Sequence, residues 1–330
     1  MKVSEIGEFG LIDLLAKMVA ETQTDKAAPN LLLGIGDDAA AWKCEDAIQL
    51  ATVDSMVQDV HFSLEMTGWQ DLGWKSLAIN LSDIAAMGGL PRYALVALCL
   101  PPETAVADVT ALYKGMLDLA GQFKVNIVGG NISRSMEISI TITVIGGRPD
   151  NAILQRAAAL PGDAIAVTGY PGSAAAGLEM LSRGLRFKPA TARYFKNAFL
   201  HPVPRIAEGQ VLVKHGIAAA IDISDGLLAD MRHICEASRV SARIITDLLP
   251  VHDMVKESFS EKALALALGG GEDYELLFTG PTGKIEEIKN ELRCPVTIIG
   301  EITKGEAGKI DLVDAAGRPV KIGRAGWTHF

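Results

Sequence analysis

QDLGWKSLAINLSDIAAM, residues 70–87, carries apolar side chains at helical spacing and sets Asn80 and Asp83 three positions apart, near one face of the helix it predicts. Asp83 stands in an otherwise apolar helix, where a carboxylate is costly unless it is paired or metal-bound. Upstream, AIQLATVDSMV (47–57) reads as a strand with Asp54 near its end. LLLGIGDDAA (31–40) reads as a short strand running into a tight Gly/Asp turn. Earlier still, Phe9, Leu11, Ile12, Leu14, Leu15, Met18 and Val19 recur at the spacing of an amphipathic helix, and residues 22–31 read as a loop.

Downstream, YALVALCL (93–100) reads as a buried strand closed by Pro101-Pro102, and residues 103–121 as a helix stopped by Gly121. VNIVGGNISRS follows, and then MEISITITVIG, whose Ile138, Ile140, Ile142 and Val144 alternate as in a strand. Gly146-Gly147-Arg148-Pro149 closes it, and the domain boundary falls in residues 146–162. The second half begins with a strand in DAIAVTGY and a Gly-rich turn into the helix PGSAAAGLEML. Residues 205–215 read as a helix. AAAIDISDGLLADMRHICEAS (218–238) reads as strand, turn at Ser224-Asp225-Gly226, and helix. A helix over 260–268 ends at three glycines, and YELLFTG and CPVTIIGEI are late strands. The fold class predicted is α/β, as two α+β-type domains over residues 1–148 and 149–330, with mixed or antiparallel sheets flanked by helices.

The 330 residues carry a formal charge of -9 and only 5% aromatics, which argues against a nucleic-acid footprint. Cys44, Cys99, Cys235 and Cys294 are far apart with no CxxC pair, so they read as reduced, mostly buried thiols. Glu5, Glu8 and Asp13 interrupt the first residues, which therefore do not read as a signal peptide. No apolar run is long enough to span a bilayer, and the cytoplasm is the default expectation.

The chemistry lies in carboxylates at Gly-rich turns and strand ends: Asp37 and Asp38 in GIGDDA, Asp54, Asp83, and Asp222 with Asp225 in IDISDG. Brought together, they would repel one another unless cations intervened, and magnesium prefers such oxygen ligands together with substrate phosphates. Taken singly, Asp37-Asp38 also reads as a turn and Asp225 as a helix cap. GxxxxGK[ST], an HRD/DFG pair, and a GxGxxG opening a βαβ unit are all absent.

GEFGLI, GIGDDAA, TVDSMVQDVHF, GWKSLAINLSDIAAMGG, GGN, IDISDGLLAD, GGGEDYELLFTG, TIIGEIT and a terminal GW occur in that order. Over nearly its whole length the chain thus resembles the thiamine-monophosphate kinase family, of the aminoimidazole ribonucleotide synthetase-like fold. The resemblance implies transfer of the γ-phosphoryl group of ATP to thiamine monophosphate, directly and in line, with several Mg2+ ions and a probable K+ requirement. It also implies a homodimer built through the N-terminal domains, with the site in the cleft between domains. By the same resemblance Asp37, Thr52, Val53, Asp54, Asp83, Asn131, Asp222 and Asp225 serve the metal. Gly130, Asn131, Arg156 and Ser224 serve ATP, and His61, Glu275 and Trp327 the thiamine monophosphate. Each also has a plainer reading: His61 as a core histidine, Arg156 as a surface arginine, Glu275 as a strand-end residue, Trp327 as an anchor for the tail. Three positions depart from the family pattern: Asn131 replaces an aspartate, Val53 a threonine, and Gln58-Asp59 a Glu-Gly pair. The alternatives are another ATP-using enzyme of the same fold, or a nucleotide-binding relative without catalysis.

Overall fold

A computed structural model of the chain describes Gly10, Ile12 and residues 30–33, 35–44, 47–149 and 152–321. The helix expected over Phe9 to Val19 lies outside these residues apart from Gly10 and Ile12, as do Gly34 and Trp327.

The first sheet is made of β1 (Leu31–Leu33), β2 (Ala40–Cys44), β3 (Ala47–Val57), β4 (Leu90–Leu100), β5 (Asn126–Arg134) and β6 (Ser139–Arg148), in the order β1-β2-β3-β6-β4-β5. Pairing is antiparallel throughout except for β4 with β5, which run parallel. Helix α1 (Trp69–Ala86) connects β3 to β4, and α2 (Val106–Phe123) makes the crossover from β4 to β5. The two helices touch backbone to backbone. A Cβ on Gly73 would lie 1.8 Å from the Leu112 carbonyl, and one on Gly115 would lie 1.9 Å from that of Gln70. Only glycine permits that approach.

The second sheet has the order β12-β9-β11-β7-β10-β8, from β7 (Ala164–Thr168), β8 (Ala219–Asp222), β9 (Ser241–Ile245), β10 (Leu276–Gly280), β11 (Val296–Thr303) and β12 (Ile310–Val313). It is antiparallel apart from the parallel pair of β12 and β9. Its helices are α3 (Ser173–Ser182), α4 (Pro189–Leu200), α5 (Ile206–Lys214), α6 (Leu227–Ser238), α7 (Asp253–Phe259), α8 (Ala263–Gly269) and α9 (Thr282–Ile288). Both halves are therefore α+β with mixed sheets flanked by helices.

Helix α1 is buried along most of its length, and the burial takes in Lys75, Ser76, Asn80 and Ser82 together with its apolar residues. One contiguous core packs it against β3, β4 and β6 on one side and against Leu212, Ala220, Tyr274 and Leu276 of the second half on the other. The helix expected from its neighbours in sequence is thus the spine between the two sheets.

Several expectations change in detail. β4 is not buried on both faces: Leu90, Tyr93 and Leu95 are exposed, and none of the described residues covers them there. α2 runs past Gly121 to Phe123, and Lys124 in a left-handed conformation ends it. Of the cysteines only Cys235 is buried; Cys44 is exposed, and Cys99 and Cys294 are half-buried. Among the described residues no helix is long and apolar enough to cross a membrane.

Candidate active site

Strand β3 is docked on α1 by two polar links. Thr52 Oγ1 donates to Asp83 Oδ2 at 2.5 Å, and the backbone N–H of Asp54 donates to Asn80 Oδ1 at 3.0 Å. Alternation along the strand turns Thr52 and Asp54 toward the helix, while Val53 faces the open side and is 57% exposed. Val53 therefore offers the helix side backbone atoms only.

One residue before Asp83, Ser82 points to the other sheet and donates to Asp222 Oδ2 at 2.5 Å. Asp222 is the last residue of β8, and Ser224 and Asp225 follow in the turn before α6. From the first half, Asp38 faces the same point. Carboxylate oxygens of Asp38, Asp83 and Asp222 lie within 4.8 Å of one another. Asp38 Oδ1 accepts from the Arg156 guanidinium, whereas buried Asp38 Oδ2 has no hydrogen-bond partner. Asp37 does different work: its Oδ1 accepts from the Asp38 N–H at 2.9 Å, and its Oδ2 from the Arg156 N–H at 3.3 Å.

Crowding shows in the proton affinities. Burial first, and then the charge of Asp38, push Asp222 up to about 8, against the lowering effect of the Ser82 hydrogen bond. Burial and the charges of Asp54, Asp222 and Asp38 hold Asp83 well above the usual carboxylate range. Asp37 rises to about 6, through burial and its neighbour Asp38. Burial works against the Arg156 cation, but Asp38 and Asp37 outweigh it and keep the group protonated.

A second group, Asp225, Asp230 and His233, also brings its ligand atoms within 4.8 Å. Asp230 accepts from the Gly226 N–H at 3.0 Å, and burial with Asp225 and Asp222 raises its pKa. Burial and then Arg156 and Arg232 push His233 down to about 4, so its ring is neutral at pH 7.

Gly130 and Asn131 do not join these groups within one chain. Asp54, Ile142, Val96 and Gly130 form one row across β3, β6, β4 and β5, so three strand spacings, about 14 Å, separate the first from the last. Asn131 is exposed and donates from Nδ2 to Ser133 Oγ. A Cβ on Gly130 would lie 1.8 Å from the Val96 carbonyl, so the glycine is required by the approach of β4. His61 Nδ1 accepts from the Val57 N–H at 3.0 Å, which puts a neutral ring's proton on Nε2.

Glu275 is buried with both oxygens engaged. Arg205 grips it with a two-pronged fork, and Thr168 Oγ1 donates to it at 2.6 Å. The carboxylate is thus the counter-ion of Arg205. Sequence reasoning passed over its neighbour Glu272, which meets the fully buried Lys75 of α1 at 2.9 Å. Lys75 also lies 3.6 Å above the Phe199 ring. The signal was legible: the argument that a charge in an apolar helix needs a partner holds for Lys75 as for Asp83. A depression of about 590 Å³ beside Asp71, Trp74 and Asp118 lies elsewhere, with Asp71 paired to His201 and Asp118 to Gln70.

Residues 36–147 match the model of the AIR synthase related protein N-terminal domain, and residues 161–313 that of the C-terminal domain. The chain is 38% identical to a thiamine-monophosphate kinase of Escherichia coli K12, covering 98% of both chains. It is 36% identical to one of Bacillus subtilis, covering 90% of this chain and 93% of the relative. The solved structure described as AaThiL complexed with AMPPCP and TMP superposes with a TM-score of 0.87 at 33% identity, covering 100% and 99% of the two chains. That of thiamine-monophosphate kinase from Stenotrophomonas maltophilia gives 0.77 at 34% identity, covering 93% and 96%.

Proposed function

We propose that this chain, which belongs to the thiamine-monophosphate kinase family of AIR synthase related proteins, transfers the γ-phosphoryl group of ATP to thiamine monophosphate, yielding thiamine diphosphate and ADP. The observation that carries this reading is the meeting of Asp38, Asp83 and Asp222 from both halves of the chain, in a fold that superposes end to end on a relative complexed with AMPPCP and TMP.

The residues fit a hard divalent cation: the donors are carboxylate oxygens, they are buried, and one has no other partner. Asp37, Thr52, the backbone of Val53, Asp54, Asp83, Asp222 and Asp225 are assigned to hold Mg2+ beside Asp38, and Asn131, about three strand spacings from Asp54 within one chain, is assigned to it from the second chain of the homodimer. Bound there, Mg2+ neutralises phosphate charge and orients the oxygens. Gly130, Asn131, Arg156 and Ser224 are assigned to ATP, and Arg156 offers a guanidinium fork suited to phosphate. His61, Glu275 and Trp327 are assigned to thiamine monophosphate, Glu275 by way of the Arg205 pair it stands in. The attacking phosphate oxygen is already ionised near neutral pH, so the chain supplies no general base. Its residues hold two anionic groups close and in line.

The reading includes a division into domains at 148/149, a K+ requirement and action in the cytoplasm. It also includes a homodimer formed through the uncovered sheet face, where Val53, Tyr93, Leu95 and Val128 are exposed. The test is a chromatographic assay with thiamine monophosphate, ATP, Mg2+ and K+. Equimolar thiamine diphosphate and ADP is the expected result. No thiamine diphosphate from folded protein that binds ATP overturns the assignment.

A further inference from the structure

We propose that Ser238 is a positioning residue for Arg156: its hydroxyl pinches the turn that carries the arginine and so sets where the guanidinium meets ATP. This rests on the assignment of Arg156 to ATP and adds to it a residue to which the motif reading gives no role.

Arg156 opens a single 3-10 turn, Arg156–Ala158, that has no side-chain cap at its start. A piece this short has little internal bonding and takes its position from what holds it. Ser238 holds it twice. Its Oγ donates to the Arg156 carbonyl at 2.8 Å and accepts from the Ala159 N–H at 3.0 Å. A serine in a helix commonly turns its hydroxyl back on a carbonyl of its own helix. Ser238, the last residue of α6 before left-handed Arg239, sends it outward instead. The Arg156 N–H is held from the first half of the chain, by Asp37 Oδ2, and that bond is longer at 3.3 Å.

The arginine head depends on this hold. Asp38 Oδ1 takes a terminal nitrogen of the guanidinium, and the buried Nε has no hydrogen-bond partner. One contact at the tip of a long side chain leaves the direction of the fork to the backbone it grows from. Helix α6 also follows the turn holding Ser224, the other residue of the second half assigned to ATP. The helix has 12 residues and is about 18 Å long, so it refers both groups to one rigid element, Ser224 at its start and Arg156 at its end. A fork displaced by about 1 Å loses much of its grip on a phosphate.

Ser238→Ala removes both bonds, and Ser238→Thr keeps the hydroxyl. Calorimetric titration of the full chain with AMPPCP and Mg2+ is expected to show binding about fivefold weaker in Ser238→Ala and unchanged in Ser238→Thr. In turnover the same factor is expected in KM for ATP, with kcat and KM for thiamine monophosphate held. A merely structural role would lower the melting temperature and leave the AMPPCP affinity alone. In an Arg156→Gln background, which keeps an amide donor, Ser238→Ala should add less than about twofold, because its route to ATP is gone. Unchanged AMPPCP affinity in Ser238→Ala overturns the proposal. So does an equal loss in the Arg156→Gln background, or a loss in Ser238→Thr as large as in Ser238→Ala. Should the Arg156→Gln chain not fold, the alanine and threonine variants decide the matter between them. An unaltered protein that binds AMPPCP but makes no thiamine diphosphate refutes the kinase reading alone, since the Ser238 comparison is still read from binding.

Discussion

Lys75 and Glu272 form an ion pair whose two ends sit in unequal surroundings, and that inequality makes a sharp prediction. The Lys75 side chain is 2% exposed and that of Glu272 29%. At 2.9 Å, with an effective dielectric constant of about 20, the attraction is about 6 kcal/mol before desolvation, and burying the ammonium cancels several of these. Burial lowers the Lys75 pKa, and Glu272 opposes that shift. In Lys75→Met the volume is kept, the contact with the Phe199 ring is lost, and Glu272 regains water through its exposed part. We expect a loss of about 2 kcal/mol, below the 3–5 kcal/mol typical of a fully buried pair broken on one side. In Glu272→Gln the ammonium stays dry with a weaker partner, and the loss is larger, about 3–4 kcal/mol. The double variant leaves no orphan charge and loses less than the two single losses together.

The assay is reversible urea unfolding of the four proteins in EDTA, analysed as a double-mutant cycle. A coupling of about 2 kcal/mol is expected, with Glu272→Gln the more damaging single change. Additivity within about 0.5 kcal/mol, or the opposite ranking, would show that the pair does not anchor the loop. The anchoring matters because Glu272 and Tyr274 both hold positive φ, at 66° and 50°, and the Glu272 N–H reaches the Ser224 carbonyl at 2.7 Å. A strained loop of this kind persists only where its surroundings hold it.

Three further outcomes follow from the geometry. Asp222 titrates near 4 when unfolded and at about 8 when folded, so its contribution to unfolding free energy falls as pH rises through that range and levels off above it. On the proposed metal assignment Mg2+ displaces the held protons, so the rise in melting temperature on adding Mg2+ should grow from pH 6 to pH 8; a rise that shrinks with pH contradicts the assignment. Gly130→Ala forces a Cβ toward the Val96 carbonyl and should cost more than about 2 kcal/mol, whereas Gly121→Ala, with nothing within 4 Å, should be neutral or stabilising by up to about 1 kcal/mol; denaturant midpoints compare them. Arg205→Lys replaces a two-pronged grip on Glu275 with a single contact and should cost about 1–2 kcal/mol in the same measurement, and no loss would mean that the fork is not what holds Glu275.

The strand at 47–57 and the helix at 70–87 were legible because each combines strong periodicity with a length suited to its type, and they frame half of the site. Asp83 was legible as a carboxylate in need of a partner. Which of Asp37 and Asp38 faces it was not, since adjacent residues of a turn differ only in backbone direction. The open face of β4 was hidden as well: YALVALCL is apolar on both faces, and local sequence does not distinguish a side chain packed in a core from one awaiting a partner. Helix α4 and strands β9 and β12 escaped because Pro189–Leu200 mixes charges into its apolar face and SARII and IDLV are short. Glu275 showed the limit of motif spacing, which gives position along the chain but not the arginine, seventy residues earlier, that occupies it.

The seam between the two halves carries attraction and repulsion at once. Lys75 with Glu272, Arg156 with Asp38, and Ser82 with Asp222 draw α1 and the GIGDDA turn toward the second sheet. Asp38 and Asp83 facing Asp222 push the same surfaces apart, by about 3.5 kcal/mol for a fully ionised pair near 4.8 Å at a dielectric constant of about 20. Without a cation, the raised proton affinities of Asp83 and Asp222 relieve that repulsion. A divalent cation relieves it more completely, because it attracts all three carboxylates instead of neutralising one. Binding at this point therefore does more than fill a site. On the proposed metal assignment, an ion held there changes the sign of one term in the contact between the halves, and so ties the stability of the seam to readiness for phosphoryl transfer.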